Sequence, residues 1–138
     1  YLKLGSTAIA VGAVVAIRRR GTDAGYISQA LTVSTRIVGV NLKLIASTDG
    51  DWTSNTSIPI LIPTDEDIFS ADVSGTATQA NVGARFDLNQ PAAGTAQSVN
   101  LSGTTYGVVT VVGFVSASEV LVKFNSTLAT ADTLTAQV

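Results

Sequence analysis

A chain of 138 residues fits one domain of ordinary size and can bury a core without help from a metal or a disulfide. Only 13% of its residues are charged, about half the ~25% of a typical soluble domain, and a net charge of −2 excludes a basic field for nucleic acid. The lack of histidine and cysteine excludes the commonest general base, thiol nucleophiles, disulfides and the usual zinc ligand sets.

The chain starts at Tyr1 and holds no methionine, as expected of a processed product or of part of something longer. Residues 4–17 are its most apolar stretch and run directly into Arg18, Arg19 and Arg20. As a helix this stretch would reach about 21 Å, short of the ~30 Å of a bilayer core. As a signal peptide it would carry its charge at the wrong end. Gly5, Gly12 and the β-branched residues disfavour a helix. A strand is therefore expected over 7–17, with residues 1–17 as a possible N-terminal arm. The three arginines read either as a solvated turn or as an anchor for a carboxylate-bearing partner.

Further along, residues 36–44 alternate with period two. Val38, Val40, Leu42 and Leu44 fall on one face, and Gly39, Asn41 and Lys43 on the other. Trp52 follows in a Ser/Thr/Asn-rich loop, where it serves as an interface anchor, a sugar-stacking platform or a lid folded back on the core. The acidic clusters Asp49-Gly50-Asp51 and Asp65-Glu66-Asp67 offer oxygen ligands for calcium, but aspartate is also a turn former that bonds its own backbone. In Thr64-Asp65-Glu66-Asp67 the last residue sits where a capping box wants its acceptor. Asn55, Asn100 and Asn125 each begin an N-x-Ser/Thr pattern, a weak signal in a sequence rich in Ser and Thr.

The second half repeats the strand signal. Ala84, Phe86 and Leu88 alternate with Arg85 and Asp87, and Val99 and Leu101 share one side of 98–101. Residues 106–115 are almost continuously apolar, so that strand is expected to be covered on both faces. The turn Ser116-Ala117-Ser118 and the return over 119–124 complete a hairpin. The expected core is Val38, Val40, Leu42, Phe86, Leu88, Val109, Val111, Phe114 and Val122. Residues 126–138 form a polar C-terminal tail. About eight to ten strands, turn signals between them and no sustained helical period give a single-domain, all-β antiparallel sandwich or barrel with little helix.

The segments Ile62-Pro63, DIFSADVSGT (67–76), VGARFDL (82–88), GVVTVVGFV (107–115) and VLVKFN (120–125) give the last half of the chain a second meaning. In texture and order they resemble small virion structural proteins of tailed bacteriophages, the capsid decoration or cement proteins. The resemblance implies a β-rich protein on the outer capsid surface that bridges neighbouring subunits of the major capsid protein, and it carries over no catalytic residue. The expected protein is thus not an enzyme. It needs no cofactor or metal, forms a homo-oligomer (trimer or dimer), and binds neither nucleic acid nor membrane. Its expected contact residues are Tyr1, Leu2, Leu4, Ile9, Val11, Arg18, Arg19, Arg20 and Trp52. The alternatives are a carbohydrate-binding or adhesive sandwich centred on Trp52, and a tail or surface-filament subunit.

Overall fold

The fold was analysed in a computed structural model that describes residues 1–18, 21–30, 36–89 and 94–125. Nine strands occur among these residues: β1 (Val14–Ile17), β2 (Ile27–Gln29), β3 (Ile37–Asn41), β4 (Ile60–Leu61), β5 (Phe69–Ser74), β6 (Arg85–Leu88), β7 (Val99–Asn100), β8 (Val109–Ser116) and β9 (Glu119–Phe124). One 3-10 turn, Gln79–Asn81, lies between β5 and β6. The chain is all-β. Its first half forms an antiparallel sheet in the order β2-β1-β3-β4, and its second half closes a barrel in the order β5-β7-β6-β8-β9. All barrel pairings are antiparallel except β5 with β7.

The apolar run before the arginines has a simple cause. β1 is an inner strand of the sheet, paired with β2 and β3, and both of its faces are covered. Val14 and Ala16 point into a core shared with the barrel residues Phe86, Leu88, Val99, Val109, Val111 and Val122. Ala13 and Val15 point the other way, into a second core with Ile9, Ile27, Val38, Ile45 and Ile58. The sheet is therefore a wall between two cores, and the barrel packs on one side of it.

Several expectations need correction. The strand expected over 7–17 is shorter, because a turn at Val11-Gly12 interrupts it and Gly12 takes a left-handed φ of 78°. Residues 1–17 are not a free arm. Leu2 bridges Ser57, Lys3 bridges Ile27 and Ile9 bridges Ile45, so the segment is stitched into the sheet. Leu42 (54% exposed) and Phe114 (40% exposed) lie outside the core. Leu42 follows the end of β3, where a register shift between β1 and β3 has already broken the alternation. Phe114 lies between two register shifts in the β8–β9 ladder, and Val112, Phe114 and Val115 are all exposed there. The expected double cover of 106–115 holds only for Val108, Val109 and Val111. Val40 is half-buried against the barrel-side core, and the other expected core residues are buried.

Candidate interaction surface

Some of the exposed apolar side chains lie where the small sheet ends. Leu61 pairs with Val40 in the β3–β4 ladder, the Leu42 N–H donates to the Pro59 carbonyl at 3.2 Å, and the Gly12 N–H donates to the Asn41 carbonyl at 2.9 Å. These bonds bring Val11, Leu42 and Leu61 to neighbouring positions, and all three are exposed, as are Leu44 and Ile62 nearby in sequence. Here β4 is an outer strand, only two residues long and flanked by Pro59 and Pro63. It lies very close to β3: a Cβ on Gly39 would stand 2.1 Å from the Leu61 carbonyl oxygen, so only glycine fits. A second apolar group, Val112, Phe114 and Val115, lies at the far end of the β8–β9 hairpin.

An apolar cleft of about 290 Å³ separates the sheet from the barrel. Val14 and Val40 line it from the sheet, and Phe69, Leu88, Val122 and Phe124 from the barrel. Gly12, Ser70, Asp72 and Ala96 also border it and are exposed, so the cleft opens to solvent. Gln97 spans the two bodies: its Oε1 accepts the Val14 N–H at 2.9 Å, and its Nε2 donates to the carbonyls of Val14 (2.9 Å) and Ala30 (2.8 Å). Both amide hydrogens and one acceptor site of that side chain are thus held by backbone.

The buried polar groups serve the fold. Lys3 is fully buried, and its ammonium donates to the carbonyls of Asp51 (3.1 Å), Trp52 (3.1 Å) and Ser54 (2.5 Å), which pins the first residues under the Trp52 loop. Asp87 is buried where its strand position predicted exposure. Its carboxylate accepts the N–H groups of Thr105, Tyr106 and Gly107 at 2.7–3.1 Å and so shapes the loop before β8. Asn41 donates to the carbonyls of Ala10 and Lys43 and ties the Val11-Gly12 turn to the end of β3.

The acidic clusters act as turn formers. Asp49 accepts the Ala46 N–H (2.8 Å), Asp51 accepts the Thr56 hydroxyl (2.8 Å), and Asp67 accepts both the N–H (2.7 Å) and the hydroxyl (3.0 Å) of Thr64. The Thr56 hydroxyl holds the Asp51 carboxyl below the ordinary aspartate range, with help from Lys43 and Lys3. The Thr64 backbone and hydroxyl bonds do the same for Asp67. The Thr64–Asp67 box closes a turn and starts no helix. The three N-x-Ser/Thr asparagines also hold backbone: Asn55 accepts the Gly5 N–H (2.7 Å), Asn100 the Ser102 N–H (3.1 Å), and Asn125 donates to the Gly107 carbonyl.

The residues expected to make contacts do not form one patch. Tyr1 and Leu2 are exposed beside Ser57 and Ile58, Leu4 is half-buried, and Val11 is exposed at its turn. Ile9 is fully buried in the second core and cannot meet a partner. Arg18 is exposed in the β1–β2 connection, 3.9 Å from Asp23, as in a solvated turn. Arg19, Arg20 and the tail 126–138 lie outside the described residues. Trp52 is half-buried against the second core, which is the lid reading. Sequence reasoning missed Leu42, Leu44, Leu61 and Ile62, because alternation alone cannot tell a core face from the rim of a sheet. The closely spaced prolines around Ile60-Leu61-Ile62 were the available signal of an outer strand. Compared with protein-family models, with curated proteins and with solved structures, the chain matches none.

Proposed function

We propose that this chain is a virion structural protein, a capsid decoration or cement protein that binds the outer surface of a bacteriophage capsid. In this role it stabilises contacts between subunits of the major capsid protein. The observation that carries the reading is the apolar rim of the sheet, where the exposed Val11, Leu42 and Leu61 are brought to neighbouring positions on a folded body of low charge. Exposed apolar groups grouped in this way mark a surface meant to be covered. The likeness to small phage structural proteins names the covering partner. Arg18 then lies among the rim charges, which govern association rate and salt sensitivity more than retention. Many copies on one shell make even a modest contact effective.

The test adds purified protein to undecorated capsids and measures bound copies by sedimentation. Apolar anchors at the centre of an interface cost about 2 kcal/mol or more each when lost. Leu42→Asp combined with Leu61→Asp changes two exposed positions outside the core, so the variant is expected to fold and to lose more than about tenfold in affinity. Full occupancy by this double variant contradicts the proposed face. Absence of binding by the unaltered protein contradicts the decoration reading itself.

A further inference from the structure

We propose that the cleft between sheet and barrel is a gap in the barrel wall that takes an added β-strand, an extended peptide of a partner protein in which apolar residues alternate with basic ones. The inference does not depend on that partner being a capsid protein. It starts from β5. The Val73 N–H donates to the Ser118 carbonyl at 3.0 Å, on the β9 side. Residues two apart in a strand aim their backbone groups the same way, so Phe69 and Ala71 also face β9, opposite Val122 and Val120. The N–H and C=O groups of Ser70 and Asp72 therefore point away from β9, toward β7. Yet β5 meets β7 only at Val73–Val99 and Ser74–Asn100. Continued in register, this parallel pairing would set Asp72 beside Ser98 and Ser70 beside Ala96, but these four residues border the cleft instead. The far bank is held back: Gln97 is bonded to Val14 and Ala30, and Ser98 bonds Asn89 through both its N–H (2.6 Å) and its carbonyl (2.9 Å). No described residue pairs with the backbone of Ser70 or Asp72 on the cleft side, and both residues are exposed.

An open strand edge binds an extended peptide through main-chain hydrogen bonds, and pockets for alternate side chains set its specificity. Both sets of alternate positions are specified here. Inside, the added strand meets Phe69, Leu88, Val122 and Phe124 of the barrel and Val14 and Val40 of the sheet. The volume of about 290 Å³ lies at the lower edge of small-molecule pockets, ~300–1,000 Å³, and suits one or two aliphatic side chains of a peptide. Outside, Asp72 and Glu119 stand directly opposite each other in the β5–β9 ladder. Theirs is a non-hydrogen-bonded pair, the kind in which side chains lie closest. Like charges so placed are destabilising, and neither carboxylate joins an ion pair among the described residues. The Ser70 hydroxyl donates to Glu119, which draws that carboxylate along the outer face of β5. A basic side chain on the outer face of an added strand stands beside Asp72 and offsets this repulsion. Charge complementarity therefore selects a basic residue, and the cleft selects its apolar neighbours.

The probes are short synthetic peptides with blocked ends: one alternates valine with lysine, one alternates valine with glutamate, and one is the lysine peptide with methylated backbone nitrogens. Binding to the full chain is read by fluorescence anisotropy, and its place by amide hydrogen exchange followed by NMR. The lysine peptide is expected to bind, the glutamate peptide to bind several-fold more weakly, and the N-methylated peptide to lose binding. Exchange should slow at Ser70 and Asp72 and stay unchanged at Ala71, whose N–H already faces β9. Ser70→Pro removes one edge donor and leaves the β9 ladder intact, so it is expected to fold and to lose peptide binding. Asp72→Asn should narrow the preference for lysine over glutamate. The N-methylated peptide applies the same test to the unaltered chain, so a fold disturbed by Ser70→Pro does not obscure the result. Failure of the lysine peptide to bind overturns the proposal, as does equal binding of the N-methylated or the glutamate peptide. Slow exchange at Ser70 and Asp72 without any peptide also overturns it, because the edge is then covered by the chain itself, or by a second copy where the protection grows with protein concentration.

Discussion

Asp87 shows how one side chain can organise a loop. Three consecutive N–H groups converge on its carboxylate, which is buried at the edge of the barrel core. Asp87→Ala leaves these donors without their acceptor. Hydrogen bonds to a charged group contribute roughly 1.5–3 kcal/mol each and are not additive, so a loss of about 3 kcal/mol is expected from urea unfolding. A loss near zero would mean that water replaces the carboxylate. Asp51 and Asp67 make a different prediction, because both have folded-state pKa values below the ordinary 3.8. A lowered carboxyl pKa adds stability that is complete above the unfolded value and is lost as pH falls through the folded one. The melting temperature should therefore be insensitive to these two groups above about pH 5 and should fall below pH 4. Asp51→Asn with Asp67→Asn should flatten that acid limb. An unchanged limb would place the acid sensitivity elsewhere.

Among the strands, β3 and β4 are joined at their closest point by the absence of a side chain. Gly39→Ala would set a methyl group 2.1 Å from the Leu61 carbonyl oxygen and 2.9 Å from the Ile60 Cγ2. The pair must separate, at an expected cost of about 2–3 kcal/mol, within the range for overpacking. Hydrogen exchange should show faster opening of the β3–β4 bonds, while β8–β9 stays protected. The elements also show what could be read from sequence. The β8–β9 hairpin was legible because its two-residue turn and β-branched runs are local signals, and Ser116 does pair with Glu119 across it. β1 was visible as an apolar run, but its length was not, because only the tertiary pairing of Ile9 with Ile45 and of Gly12 with Asn41 sets the intervening turn. β2, β4 and β5 were missed, although β5 (Phe69–Ser74) is six residues long and alternates in burial. β2 and β4 are three and two residues long, too short to show a local period. The candidate surface was hardest to read, because Leu42 and Leu44 continue the alternation of Val38 and Val40 past the point where the core ends.

At the scale of the whole molecule, sheet and barrel share a core, and the apolar rim lies at one border of that arrangement. A body with these exposed side chains is expected to associate, and closed symmetry covers such patches without producing filaments. Analytical ultracentrifugation should find a dimer or trimer at high protein concentration. A monodisperse monomer there would contradict the oligomer while leaving shell binding open to test. Because residues 1–17 include β1, removing them should unfold the protein, so point substitutions at the rim are the informative variants. The central claim is that this chain works by being covered, on the outside of a capsid, along the rim formed by Leu42 and Leu61. A cryo-electron-microscopy map of the intact particle tests it most directly. The account predicts density for this fold on the outer capsid surface, at the junctions between capsid subunits, with Leu42 and Leu61 buried against the shell. Density in the tail alone, or a bound protein with that rim facing solvent, would contradict it.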